Sequence, residues 1–199
     1  MEISVRSGTD RLTMPSMQRR KSSRTRMLAG YLISKLGERP VTVRLSETKW
    51  PLFDDAFLDK RNAAVRTGDY SDPLFDAAKQ FALADTVVIA APYWDLSFPA
   101  SLKQYFEQIT VSGLTFRYSE EGIPQPLCRA KTLWYVTTAG GRIYSYEYGY
   151  GYVRALTGAL FGIRDARLIA AEELDAWGAD VGAILEKARK RIDVMVLDA

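Results

Sequence analysis

The stretch from Thr86 to Ile109 constrains the fold more than any other part of the chain. An apolar run, Val87-Val88-Ile89-Ala90-Ala91, breaks off at Pro92-Tyr93-Trp94-Asp95-Leu96-Ser97-Phe98-Pro99. The run is short, β-branched and without polar alternation, which suits a parallel strand covered on both faces by helices. After Pro99, whose missing N–H is tolerated in a first helical turn, Leu102, Tyr105, Phe106 and Ile109 recur at the spacing of one helix face. Strand, loop and helix therefore follow one another directly. In open α/β sheets ligands bind beyond the carboxyl ends of the strands, and a loop carrying Tyr, Trp and two prolines there offers a rigid wall for a flat aromatic ligand.

The same alternation runs along the chain. Leu28, Tyr31, Leu32 and Leu36 mark a helix over 25–36 with Gly37 behind it, and Val41-Thr42-Val43-Arg44-Leu45 reads as a strand. A short helix is expected over 59–66. Asp72-Pro73 pairs an N-cap with a first-turn proline for a helix reaching about Leu83. Leu114 to Tyr118, between Gly113 and Gly122, forms an extended arm or hairpin. Thr132–Thr138 is a strand stopped by Ala139-Gly140-Gly141, Val153 to Leu160 a helix ending near Gly162, Ala166–Ala170 a strand, and Val181 to Ile192 a closing amphipathic helix. Strands alternating with helices predict a single α/β domain over 1–199, a flavodoxin-like doubly wound sheet of five parallel strands with helices on both faces. Residues 1–17 hold an atypical first strand, placed at 2–6 on Ile3 and Val5.

Composition limits the chemistry. The 199 residues are 47% apolar, enough for one core, and contain no histidine and one cysteine, Cys128. Ser-His-Asp and Cys-His catalysis and every His-based metal site are thereby excluded, as is an intrachain disulfide, and the expected setting is a reducing cytoplasm. The charge of +3 comes largely from Arg19, Arg20, Lys21, Arg24 and Arg26. So local a cluster fits a small phosphate better than nucleic acid. Cys128, beside Arg129 and Lys131 but with no base near, is expected to be inert. No run reaches the roughly 20 apolar residues of a membrane span.

Three loops should converge at the carboxyl edge. Ser16 to Thr25 leads into the first helix, where free N–H groups and the helix dipole favour an anion, with hydroxyls from Ser22, Ser23 and Thr25 and charge from Arg19 and Arg24. Alone, that segment also reads as an N-cap beside a solvated basic run. Pro92 to Leu96 is the second loop. Thr137-Thr138-Ala139-Gly140-Gly141 is the third, where paired glycines let backbone amides approach a ligand closely, although such a pair is often only a turn.

Together these residues resemble the FMN-dependent NAD(P)H oxidoreductases of the flavodoxin-like superfamily, which include NADH-azoreductases and NAD(P)H quinone reductases. The resemblance covers about 22–195 and rests on Ala91-Pro-Tyr-Trp-Asp-Leu-Ser-Phe-Pro99, Leu102-Lys-Gln-Tyr-Phe106, Gly113-Leu-Thr-Phe-Arg-Tyr118 and Thr137-Thr-Ala-Gly-Gly141. It implies that Ser16, Ser23, Arg24 and Thr25 hold the FMN phosphate, that Pro92, Tyr93, Trp94, Asp95 and Leu96 line the ring edge containing N5, and that Thr138, Gly140 and Gly141 face N1 and the C2 carbonyl. Two departures stand out. Asp95 replaces the asparagine usual in azoreductases, and the expected first strand has no clear counterpart before Ser22.

The activity so implied is two-electron hydride transfer from NADH or NADPH through FMN to quinones, azo compounds or similar flat acceptors, with no catalytic side chain and no metal. The alternatives are an FMN-binding electron carrier without turnover, a member with weakened FMN binding, or a regulatory protein. Phe116, Tyr118, Tyr144 and Tyr146 are candidates for substrate contact, with a neighbouring subunit closing the site in a homodimer. Five of the eleven tyrosines alternate from Tyr144 to Tyr152, which also suits a half-exposed extended segment. Trp50 and Phe53 read as core.

Overall fold

Alternate side chains of the central strands sort into two cores, one on each face of a five-stranded sheet. The computed structural model describes residues 1–5, 23–37 and 40–197. Its elements are β1 (Glu2–Val5), α1 (Arg24–Lys35), β2 (Val41–Arg44), α2 (Asp55–Thr67), a 3₁₀ turn (Pro73–Phe75), α3 (Asp76–Leu83), β3 (Thr86–Ala90), α4 (Ala100–Ile109), β4 (Phe116–Tyr118), β5 (Pro124–Pro126), β6 (Thr132–Thr138), a π-helical turn (Glu147–Gly151), α5 (Tyr152–Leu160), β7 (Asp165–Ala171) and α6 (Val181–Leu197). The sheet order is β2-β1-β3-β6-β7. Val87, Ile89, Leu133 and Tyr135 pack with Phe81 of α3, Leu102 and Phe106 of α4 and Val153 of α5. Val88, Ala90, Trp134 and Val136 pack with Leu28 and Leu32 of α1 and Leu185 and Ile192 of α6. A strand buried on both faces needs apolar residues at every position, which is why the β3 and β6 segments lack polar alternation.

The expectation of five parallel strands needs correction. β3, β6 and β7 are parallel, but β1 runs antiparallel to both neighbours, with Glu2 opposite Arg44 and Ala90 and Val5 opposite Val41 and Val87. β2 therefore shares the direction of β3, and β1 alone is reversed. The pattern of Ile3 and Val5 fixes which face is buried but reads the same in either direction, so it could not fix polarity. Reversal carries Glu2 to the carboxyl edge, where its carboxylate meets Arg26 Nε at 3.0 Å and Arg44 Nε at 3.2 Å.

Other differences are local. α2 is longer than expected because Asp54 caps it, accepting from Phe57 N–H at 2.8 Å, while Gly68 closes it at φ 71°. The arm at Phe116–Tyr118 is a hairpin with Pro124–Pro126. The tyrosine-rich segment does not extend but winds into the π-helical turn that opens α5.

Candidate ligand-binding site

The carboxyl edge is knit together by hydrogen bonds between its loops. Ser23 caps α1, accepting from Arg26 N–H at 3.4 Å. Thr25, 3% exposed, places its Oγ1 2.5 Å from Oγ1 of Thr138 at the end of β6. Tyr93 N–H donates to Thr138 O at 3.0 Å, so the loop after β3 joins the same point.

Trp94 and Ser97 exchange both backbone hydrogen bonds, at 3.1 and 2.7 Å, closing a two-residue turn. Its central residues, Asp95 at φ 49° and Leu96 at φ 66°, both adopt the left-handed conformation. Such turns favour asparagine, aspartate and glycine, and a leucine there carries strain on the order of 1 kcal/mol. Among the described residues neither the Asp95 nor the Leu96 amide has an acceptor. Ser97 Oγ donates to Tyr148 O at 2.5 Å, fixing this turn against the π-helical turn.

The loop after β6 is oriented by the segment after β7. The carbonyls of Ala139, Gly140 and Gly141 accept from the N–H groups of Leu174, Asp175 and Glu173 at 3.2, 2.8 and 2.9 Å. In a trans peptide the next N–H points opposite to the carbonyl, so the amides of Gly140, Gly141 and Arg142 all point away from that segment. Three successive N–H groups on one side form a concavity suited to an anion or a carbonyl edge. Glu172 fixes the rest of the loop, accepting from Ile143 N–H at 2.7 Å and, in a very short bond, from Tyr146 Oη. Burial, reinforced by the Glu172 carboxylate, holds the Tyr146 hydroxyl well above its usual pKa, so the phenol stays neutral as an anchor. Burial likewise pushes the Cys128 thiol up to about 12, which agrees with an inert cysteine.

A cavity of about 270 Å³ opens beside these loops. Its lining combines the polar residues Glu2, Ser23, Thr25, Arg26 and Ser46 with Ala90, Pro92, Trp94 and Pro99. Two guanidinium groups, Arg26 and Arg44, face the single carboxylate of Glu2.

The expected residues divide accordingly. Ser23, Thr25, Pro92 and Trp94 line the cavity, and Tyr93, Asp95, Leu96, Thr138, Gly140 and Gly141 belong to the loops bonded beside it. Arg24 is turned elsewhere, its Nη1 donating to Leu174 O at 2.9 Å and its Nη2 to Asp175 Oδ1 at 2.7 Å. Ser16 lies outside the described residues. Phe116 and Tyr118 belong to the separate β4–β5 hairpin that follows α4, and neither lines the cavity. Phe116 is 6% exposed and Tyr118 58% exposed. Tyr144 is 84% exposed on the rim, whereas Tyr146 is occupied by Glu172. Arg26 was expected only as part of the basic cluster, and Glu2, Glu172, Asp175 and the Arg142 amide were not anticipated. Glu172 and Asp175 follow a strand at its carboxyl end, and that position alone would have marked them.

A sheet in the order β2-β1-β3-β6-β7, with the start of α1 and two amide-presenting loops at its carboxyl edge, is the arrangement of a flavodoxin-like protein. The chain belongs to that family: the flavodoxin-like fold model matches residues 15–196. It is 48% identical over 124 residues to an FMN-dependent NADH:quinone oxidoreductase 2 of Clostridium acetobutylicum, a match covering 57% of this chain and 60% of that protein. The chain thus matches less than two thirds of the length of that relative. A similar enzyme of Caldicellulosiruptor saccharolyticus is 37% identical over 145 residues, covering 70% of this chain and 69% of that one. Among solved structures, an FMN-dependent NADH-azoreductase of Bacillus anthracis in complex with FMN superposes with a TM-score of 0.71 at 20% identity, covering 88% of this chain and 91% of that one.

Proposed function

We propose that this chain is an FMN-dependent NADH:quinone oxidoreductase, acting on quinones, azo compounds or similar flat acceptors as a cytoplasmic homodimer. The observation that carries the reading is the set of five backbone amides, Asp95, Leu96, Gly140, Gly141 and Arg142, without acceptors at one sheet edge among the described residues. The residues present fit FMN. The buried Tyr93 Oη and Thr137 Oγ1 have no partner at that edge, and the cavity lining combines hydroxyl and guanidinium groups with Pro92 and Trp94. Bound FMN would supply hydride chemistry, accepting two electrons from NADH and delivering them to the acceptor without an acid–base side chain. Ser23, Thr25 and Arg26 hold the phosphate in this reading, while Pro92 and Trp94 wall the ring. The amides of Asp95 and Leu96 donate toward the N5 edge. Those of Gly140, Gly141 and Arg142 donate toward N1 and the C2 carbonyl, where negative charge develops on reduction. Exposed Trp94, Tyr118, Tyr144 and Tyr148 support a partner subunit.

One observation favours the alternative of weakened FMN binding. The Glu2 carboxylate already engages Arg26 and Arg44, and it opposes a phosphate at the same place. Titration of the purified protein with FMN separates the readings. Tight uptake, bleaching by NADH and recovery of colour on adding a benzoquinone support the enzyme. Uptake without bleaching leaves a carrier, and no uptake removes both.

A further inference from the structure

Arg24 belongs to the helix that starts the phosphate end of the cavity, yet its guanidinium grips the segment that orients the amides at the other end. Its two bonds, to Leu174 O and Asp175 Oδ1, seat a positive charge on that segment. The Asp175 carboxylate in turn lies against Gly140, so closely that a Cβ on that residue would collide with it. Asp175 N–H also donates to Gly140 O at 2.8 Å. One ion pair, with a full charge of each sign, therefore stands against Gly140, in the loop that presents the Gly140 and Gly141 amides. Its members are partly open to water, Arg24 at 34% and Asp175 at 64% exposure, so their charges are attenuated but not abolished.

We propose that Arg24 and Asp175 are a positioning pair that balances charge beside these amides and so sets how strongly the site prefers reduced over oxidised flavin. The inference rests on the FMN reading given above. Reduction places negative charge at the ring edge facing these amides. Removing Arg24 leaves the Asp175 carboxylate uncompensated there and disfavours the reduced state. Removing the Asp175 charge leaves the guanidinium and favours it. Loss of mechanical support would act differently, since either change breaks the same latch and loosens the same loop.

The test is a redox titration of the FMN-loaded protein at low ionic strength for wild type, Arg24→Gln, Asp175→Asn and the double variant, with apoprotein unfolding measured alongside to establish folding. The two single variants are expected to shift the midpoint potential in opposite directions, negative for Arg24→Gln and positive for Asp175→Asn. Each should change the ratio of affinities for reduced and oxidised flavin about two- to fivefold. The double variant should return near wild type, and added salt should shrink both shifts. Equal shifts of one sign, or none, overturn the pair as a charge device while leaving the FMN reading intact. A wild-type protein that takes up no FMN overturns that reading, and the inference with it.

Discussion

Thr25 Oγ1 and Thr138 Oγ1 share a buried hydrogen bond of 2.5 Å that fastens the first turn of α1 to the last residue of β6. Two of the three loops at the carboxyl edge are thus joined by a pair of hydroxyls 113 residues apart in the chain.

Replacing one of these threonines by valine leaves the other hydroxyl buried without its partner. Thr25→Val or Thr138→Val alone should lower stability by about 1–3 kcal/mol, whereas the double variant should cost clearly less than the sum. Denaturant unfolding of the four proteins checks this, and simple additivity would count against a direct bond.

The two glycines of the third loop should respond differently to substitution. A side chain at Gly140 must displace the Asp175 carboxylate, while one at Gly141 meets nothing of the protein within 4 Å. Gly141→Val is therefore expected to leave thermal stability nearly unchanged while weakening FMN binding at least tenfold. Unaltered FMN affinity in that variant would remove the ring from this loop.

Glu2 pairs with both Arg26 and Arg44, so under the proposed FMN binding it would compete with the phosphate for them. Glu2→Gln should tighten FMN binding several-fold while leaving riboflavin, which lacks the phosphate, little affected. Equilibrium dialysis of both ligands reads the difference, and weaker FMN binding would mean that Glu2 organises the arginines for the ligand instead of opposing it.

Cys128 provides a pH dependence. Burial raises its thiol from an ordinary 9.0 to about 12, so the folded state keeps a proton that the unfolded state releases sooner. The stabilising contribution is complete below pH 9 and falls as pH rises toward 12, by up to about 1.4 kcal/mol per pH unit. Cys128→Ala should flatten that part of the stability profile, and the native thiol should resist alkylation at pH 8 until the protein is unfolded.

Much of the architecture was legible in the chain. The run at Val87–Ala91 and the segment Thr132–Thr138 lack polar alternation because both strand faces are covered, and the limits of β6 follow from Thr132 and the glycines behind Thr138. The helices α1, α4, α5 and α6 are marked by apolar spacing. The polarity of β1 was not legible, since an alternating pattern is unchanged by reversal. The tyrosine alternation misled for a related reason: the segment is held by Ser97 Oγ on the Tyr148 carbonyl, by Glu172 on the Tyr146 hydroxyl and by the Ala166 carbonyl on the Tyr150 hydroxyl, not by a strand pleat.

The sequence by itself determined the layered α/β plan, the loops that meet at its carboxyl edge, and a chemistry without histidine, because these depend on local periodicity and on which side chains exist. Tertiary structure alone decided the direction of β1, the diversion of Arg24 to Asp175, and the outward aim of the Gly140–Arg142 amides. Each of these depends on a partner more than 30 residues away, and a hydrogen bond across that separation leaves no trace in the spacing of residues along the chain.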